Sequence, residues 1–312
     1  MALDKEHLQY PRRRYGMDHD RYAWSLLSRR PPVQWPGGAK LALWINVGLQ
    51  FFPLDQRGKP FAVPGGMTMP YPDLRHFSLR DYGNRVGIFR LLRALDEYGV
   101  KPSFAVNTQL VERAPYLLEK IAARGDEILC HGWNMDSLHY GGMDAGEEAA
   151  LVERSLAGLR AFSGQPVSGW LSPARNESEH TPELLAANGI RYFCDWVNDD
   201  MPYPFRTAAG ELVAMPLSNE LDDQFVLLNN LHSEQSWQEQ VCDACDYLLQ
   251  EAGASGGRIL ALNIHPWLLG QPHRIGKLEA ALDYITRKDG IWSAHPGEIL
   301  STWQAGQQNT DN

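Results

Sequence analysis

The sequence predicts an α/β protein, a distorted (β/α) barrel of about seven parallel strands behind an irregular N-terminal arm. Three observations predict it. Near-continuous apolar runs of strand length alternate with amphipathic segments of helix length, the pattern of parallel strands buried on both faces. Polar clusters follow the ends of several runs: Cys130-His131-Gly132-Trp133-Asn134, Ser172-Pro173-Ala174-Arg175-Asn176-Glu177, Asp195-Trp196-Val197-Asn198-Asp199-Asp200 and His265-Pro266-Trp267. Strand ends converge on one pocket in such a fold. No G-x-G-x-x-G or Walker sequence is present to suggest an open nucleotide-binding sheet.

The elements follow in order. Residues 1–38 form an Arg/Pro-rich arm without sustained period, of a kind that wraps its own domain or a neighbouring subunit. One barrel domain is expected over 39–304 and a polar tail over 305–312. Residues 41–49 are the first strand, and the Pro/Gly-rich stretch 51–81 reads as a long functional loop, a lid or pocket wall. Helical spacing over 87–95 leads to a strand at 102–107. A helix at 114–123 precedes the strand 127–131, and a helix at 145–162 precedes the strand 167–171. Thr181-Pro182-Glu183 opens a short helix with a capping side chain and a proline at its first position, before strands at 192–196 and 212–217. Ser236-Trp237-Gln238-Glu239 reads as a capping box for a helix to Ala252, followed by the almost wholly apolar strand 259–264. A helix at 275–286, a strand at 291–293 and a helix at 296–303 complete the alternation.

With 29 Lys+Arg against 38 Asp+Glu the formal charge is -9, spread rather than gathered, which argues against nucleic acid as a partner. The opening residues hold no apolar signal core and no stretch approaches a membrane span. A cytoplasmic protein without a membrane partner is expected. Cys130 and Cys194 fall in expected buried strands, consistent with thiols in a reducing compartment. Cys242 and Cys245 have CxxC spacing inside a helical pattern with no second pair, so they read as packing residues.

His131 ends its strand directly and is expected to point into the pocket, with Trp133 and Asn134 beside it. His139, on loop sequence, is divided between pocket and surface. Asp199 and Asp200 point to opposite sides of an extended chain, so one carboxylate at most faces a substrate, and a plain turn is the rival reading. Glu220 or Asp223 could serve as a general base, its pKa raised by burial, or both could lie on a solvated loop. His265 closes the most apolar strand and suits proton transfer to a leaving group.

In this order the segments Glu127-Ile128-Leu129-Cys130-His131-Gly132-Trp133, Gly169-Trp170-Leu171-Ser172-Pro173, Cys194-Asp195-Trp196 with Asn198-Asp199-Asp200-Met201-Pro202-Tyr203, and Leu262-Asn263-Ile264-His265-Pro266-Trp267 resemble the polysaccharide deacetylase (NodB-homology, carbohydrate esterase 4) superfamily. The resemblance spans about residues 40–303 and is nearer to its allantoinase-like and cyclic-imide-hydrolase-like branch, which Asp81-Tyr82-Gly83-Asn84-Arg85-Val86-Gly87 also fits. It implies a NodB-like barrel and a hydrolase of non-peptide carbon–nitrogen bonds in a small cyclic amide, ureide or imide. Metal-dependent members carry an Asp pair where this chain has Val47-Gly48-Leu49-Gln50, and a second histidine where it has Met135. Only His131 remains, so no metal ligand is assigned and cofactor-free chemistry is expected, with zinc as the lesser alternative.

In that reading His131 and Asn134 contact the carbonyl, Glu220 or a nearby Asp orients water, and His265 protonates the departing nitrogen. Trp133, Asn176, Asp199, Tyr203 and Trp267 complete the substrate contacts. The partner is a small-molecule substrate, and a homo-oligomer is expected. A metal-dependent N-deacetylase of an acetylated sugar and a catalytically inert NodB-like binding protein are the alternatives.

Overall fold

In the computed structural model, which describes residues 19–55 and 73–308, strand β1 (Leu41–Leu49) shows how the protein is layered. Its side chains alternate, as extended backbone requires. Leu41, Leu43, Ile45, Val47 and Leu49 join an apolar cluster shared with the helices, whereas Ala42 and Trp44 join a second cluster inside the curve of the sheet. Both faces are dry, which is why the run reads as continuously apolar. Removing Trp44, fully buried, should cost about 3–5 kcal/mol.

The other strands are β2 (Pro102–Val106), β3 (Glu127–Cys130), β4 (Gly169–Trp170), β5 (Tyr192–Phe193), β6 (Tyr203–Arg206), β7 (Glu211–Ala214), β8 (Arg258–Ile264) and β9 (Ile291–Ser293). They lie in the order β6-β7-β5-β4-β3-β2-β1-β8, with β9 also on β1. Every pairing is parallel except β6 with β7. The result is a curled, mostly parallel sheet, the distorted barrel expected, with its two ends left unpaired to one another among the described residues.

The helices are α1 (Leu74–Tyr82), α2 (Ile88–Glu97), α3 (Leu110–Arg113), α4 (Pro115–Ala122), α5 (Ala145–Ser163), α6 (Thr181–Ala187), α7 (Glu234–Ser255), α8 (Ile275–Thr286) and α9 (Pro296–Gln308). Among the described residues none is long and apolar enough to cross a membrane.

The arm lies between the sheet's two ends. Near β6 the Arg206 amide donates to the Arg21 carbonyl (2.6 Å), and Arg30 makes a bidentate pair with Asp199 (2.9 and 2.6 Å). At the start of β8 the Gly257 amide donates to the Val33 carbonyl (2.8 Å) and the Trp35 indole to the Arg258 carbonyl (2.9 Å).

The elements depart from expectation in several places, and β6 and the short α3 fall where no element is expected. Part of the stretch expected to be loop is α1, capped by the Asp73 carboxylate, which accepts from the His76 amide (2.9 Å); residues 56–72 of that stretch lie outside the described residues. A single π turn (Gly83–Gly87) joins α1 to α2. The cap of α7 is Ser233, accepting from the Ser236 amide (3.1 Å), so Ser236 lies inside the helix. Thr181 is the first helical residue of α6 and does not cap it; its hydroxyl accepts from the Ser178 amide (2.8 Å) and donates to Glu148 (2.5 Å).

Candidate active site

The inward row of each strand turns from apolar to polar as it rises. On β1 it runs Ala42, Trp44, Asn46, Gly48 and then Gln50 just past the end; on β8 it runs Ile259, Ala261, Asn263, His265; on β3 it ends Leu129, His131. Beneath the mouth a buried ladder links these strands. The Trp44 indole donates to Ser103 (2.8 Å), Ser103 to Asn46 (2.9 Å), Asn46 to Asn263 (2.7 Å), and Asn263 to Asp222 (2.6 Å). A ladder in which each rung is satisfied is rigid, and it fixes what stands above it.

Above it stand two imidazoles. His265 donates from Nδ1 to Asp223 Oδ1 (2.6 Å), and its backbone amide donates to Asp223 Oδ2 (2.8 Å). His131 donates from Nδ1 to the Leu171 carbonyl (2.7 Å). A carbonyl only accepts, so the His131 proton is on Nδ1 and its lone pair on Nε2. Gln50 Nε2 lies 3.4 Å from Nε2 of each ring, where its amide hydrogens meet both lone pairs. Burial lowers the His131 pKa to about 4 against the opposing Leu171 carbonyl, helped by Arg175 and by the charge that His265 carries when protonated. Burial acts the same way on His265, but Asp223 and Asp222 outweigh it and leave that pKa above the ordinary imidazole value.

The cavity between them has a volume of about 190 Å³ and is also lined by Phe52, Arg80, Met135, Arg175 and Asp222. Arg80, only 3% exposed, lies 3.5 Å from the Trp267 ring centroid and 5.1 Å from that of Phe52. Burial lowers its pKa to about 9, with Asp73 opposing.

Of the residues expected at the site, His131 and His265 meet across this cavity. Glu220 is exposed and outside the lining; Asp222 lines the cavity in its stead, with Asp223 buried behind His265. Trp133 is half-buried and stacks under the Arg154 guanidinium, 3.5 Å from the ring centroid. Asn134 builds a turn, its Oδ1 accepting from the Asp136 and Ser137 amides (both 2.8 Å), and its neighbour Met135 reaches the cavity. Asn176 is outside the lining while Arg175 is in it. Asp199 holds the arm, and the Tyr203 hydroxyl donates to Asn198 (2.6 Å) beside it. Trp267 supports Arg80 from behind and does not line the cavity. His139 is neither at the pocket nor at the surface but fully buried. Gln50, Arg80 and Arg175 also line the cavity, though no motif in the sequence marks them as site residues. Counting by twos from Trp44 would have found Gln50.

Residues 80–193 match the polysaccharide deacetylase family model. A Schizosaccharomyces pombe protein named "Putative polysaccharide deacetylase" is 23% identical over 298 residues, 87% of this chain and 92% of that protein. A structure described as a probable polysaccharide deacetylase from Pseudomonas aeruginosa PAO1 superposes with a TM-score of 0.79 at 25% identity, covering 89% of this chain and 95% of that one. The matched segment and these relatives support a place in the polysaccharide deacetylase superfamily. The PuuE allantoinase structure shares the fold, with a TM-score of 0.80, 23% identity and coverage of 89% and 95%.

The superfamily's metal does not fit at its usual positions here. Gln50 and Met135 stand on the cavity wall with His131, and the Gln50 amide group fills the point where the imidazole lone pairs converge. Asp222, Asp223 and His265 bring one ligand atom each within 4.8 Å of one another and are the group that could hold a cation. There the Nδ1 proton of His265 already occupies the short line to Asp223, and Asp222 Oδ2 is engaged by Asn263.

Proposed function

We propose that the protein hydrolyses a carbon–nitrogen bond in a small cyclic amide, ureide or imide, with the Asp223–His265 pair transferring the proton. The observation that carries this reading is a carboxylate-bound imidazole and a second, neutral imidazole facing each other across one small polar cavity. Its volume of about 190 Å³ is below the roughly 300–1,000 Å³ of ordinary ligand pockets, which suits a ring better than a polymer.

Asp223 keeps the His265 proton on Nδ1 and leaves Nε2 unprotonated beside the Gln50 amide. His265 Nε2 takes a proton from water as the water oxygen bonds to the ring carbonyl carbon. The carbon–nitrogen bond then breaks, and that proton passes from Nε2 to the departing nitrogen. The product carries a new N–H at one end and a carboxylic acid, which ionises, at the other. Such acid–base transfer contributes about 10²–10⁴-fold. His131 presents an acceptor at Nε2, so it suits a ring N–H rather than the carbonyl oxygen.

A second reading, metal-dependent N-deacetylation of an acetylated sugar, is favoured by the Asp222–Asp223–His265 group and by the names of the relatives. Chelator-treated and zinc-loaded protein should be assayed on allantoin, hydantoin, succinimide and N-acetylglucosamine oligomers. Ring opening by the chelated protein is expected. Acetate release that appears only with zinc would replace the first reading by the second, and inactivity of folded protein on every substrate would favour an inert binding protein.

A further inference from the structure

The cavity holds a hydrogen-bond donor that the proton transfers above do not use. Ala174 and Arg175 both adopt left-handed backbone, at φ 57° and 54°, a conformation uncommon outside glycine and concentrated at functional sites. The turn that carries them (Pro173–Arg175) is held on both sides. The Ser172 amide donates to Asp195 Oδ1 (2.7 Å), and Pro173 packs so closely on Gly132 that a Cβ there would lie 2.7 Å from its Cγ.

The effect is to deliver the Arg175 guanidinium to the cavity wall. Its Nη1 donates to the Cys194 carbonyl (2.8 Å), which fixes the plane. Its Nη2 is buried and has no hydrogen-bond acceptor. Asp222 Oδ2 is 3.9 Å away, beyond hydrogen-bonding range, and is already taken by Asn263 (2.6 Å). Buried donors in folded proteins are almost always satisfied, so this one, on a side chain that lines the cavity, marks a place where a ligand oxygen or a water would be held. A second cation, Arg80, faces the same cavity from α1.

We propose that this wall is a subsite for a small monocarboxylate, one of whose oxygens accepts from Arg175 Nη2. The subsite rests on the hydrolytic reading only for the identity of its ligand, the ring-opened acid that hydrolysis produces. A single negative charge fits because Asp222 stands beside the donor and opposes a second. No divalent anion is expected to bind well.

The experiment is calorimetric titration of the full chain, in a carboxylate-free buffer, with succinamate and with its neutral analogue succinamide. Succinamate should bind at least tenfold more tightly. Arg175→Gln should abolish that preference, with near-ultraviolet circular dichroism confirming the fold, and Asp222→Asn should tighten succinamate binding several-fold by removing the opposing charge. Equal binding of the two ligands overturns the subsite, as does a preference that survives in Arg175→Gln. Should Arg175→Gln fail to fold, an Asp222→Asn variant with no gain in succinamate affinity overturns it equally. Turnover of succinimide without a succinamate preference would sink the subsite and leave the hydrolase; the preference without turnover of any ring would do the reverse.

Discussion

Two buried imidazoles in this protein make nearly the same bond with different consequences. His265 donates to Asp223 over 2.6 Å and His139 to Glu148 over 2.9 Å, and the rings are 2% and 0% exposed. The far nitrogen of His265 opens on the cavity. That of His139 is buried without a partner, its ring edge-on to Trp170, while Glu148 also receives the hydroxyls of Ser178 and Thr181. The second pair ties α5 to the segment that carries Arg175. A histidine–carboxylate pair is therefore no evidence of chemistry by itself; access to the second nitrogen is what separates a working pair from a clamp.

The comparison breaks first at Asp223. Asp223→Asn should leave the protein folded and reduce kcat about a thousandfold or more, because an amide no longer selects the Nδ1 proton; steady-state kinetics on whichever ring is turned over would show it, and a loss below tenfold would demote the pair to a clamp. Glu148→Leu should do the opposite. It leaves His139, Ser178 and Thr181 without their shared acceptor, at a cost of about 3–5 kcal/mol, read by urea unfolding, while kcat of the folded fraction stays unchanged.

Glu177 shows what a half-buried acid does with no imidazole to hold. Burial and the neighbouring Asp195 push its pKa up to about 9. A folded pKa above the unfolded value contributes stability that is complete below the unfolded pKa, about 4.5, and is lost as pH rises toward 9. Thermal melts should fall across that window in the native protein, and Glu177→Gln should flatten the slope. The smallest effect belongs to Glu220→Gln, exposed and outside the cavity, which should change stability by less than about 0.5 kcal/mol and leave kcat untouched. A kcat collapse in that variant would mean that the base has been misplaced.

Much of the barrel was legible because β1 and β8 are buried on both faces and so show unbroken apolar runs. Helix α1 was not, because its buried residues are His76 and Arg80 and no apolar stripe marks it. The β6–β7 hairpin was half seen. Pro204 lies within β6, a strand at the end of the sheet, where a missing N–H is tolerated and strand character is weak. At the site, His131 and His265 could be read from sequence since each is the next inward side chain beyond an apolar strand. The acids could not. Asp199 and Asp223 sit in similar acidic loops, but one meets Arg30 of the arm and the other an imidazole from β8, distinctions made by packing across the whole chain. Arg175 was obscured for another reason, since its direction depends on two left-handed residues that no composition announces.

The seam between β6 and β8 carries a last consequence. A sheet with two free borders unravels most easily from those borders, and here both are tethered by one short length of chain around Arg21, Arg30 and Trp35. Opening this molecule from either flank begins with the same event, the peeling of that tether, so amide hydrogens on opposite sides of the seam should exchange with deuterium in step.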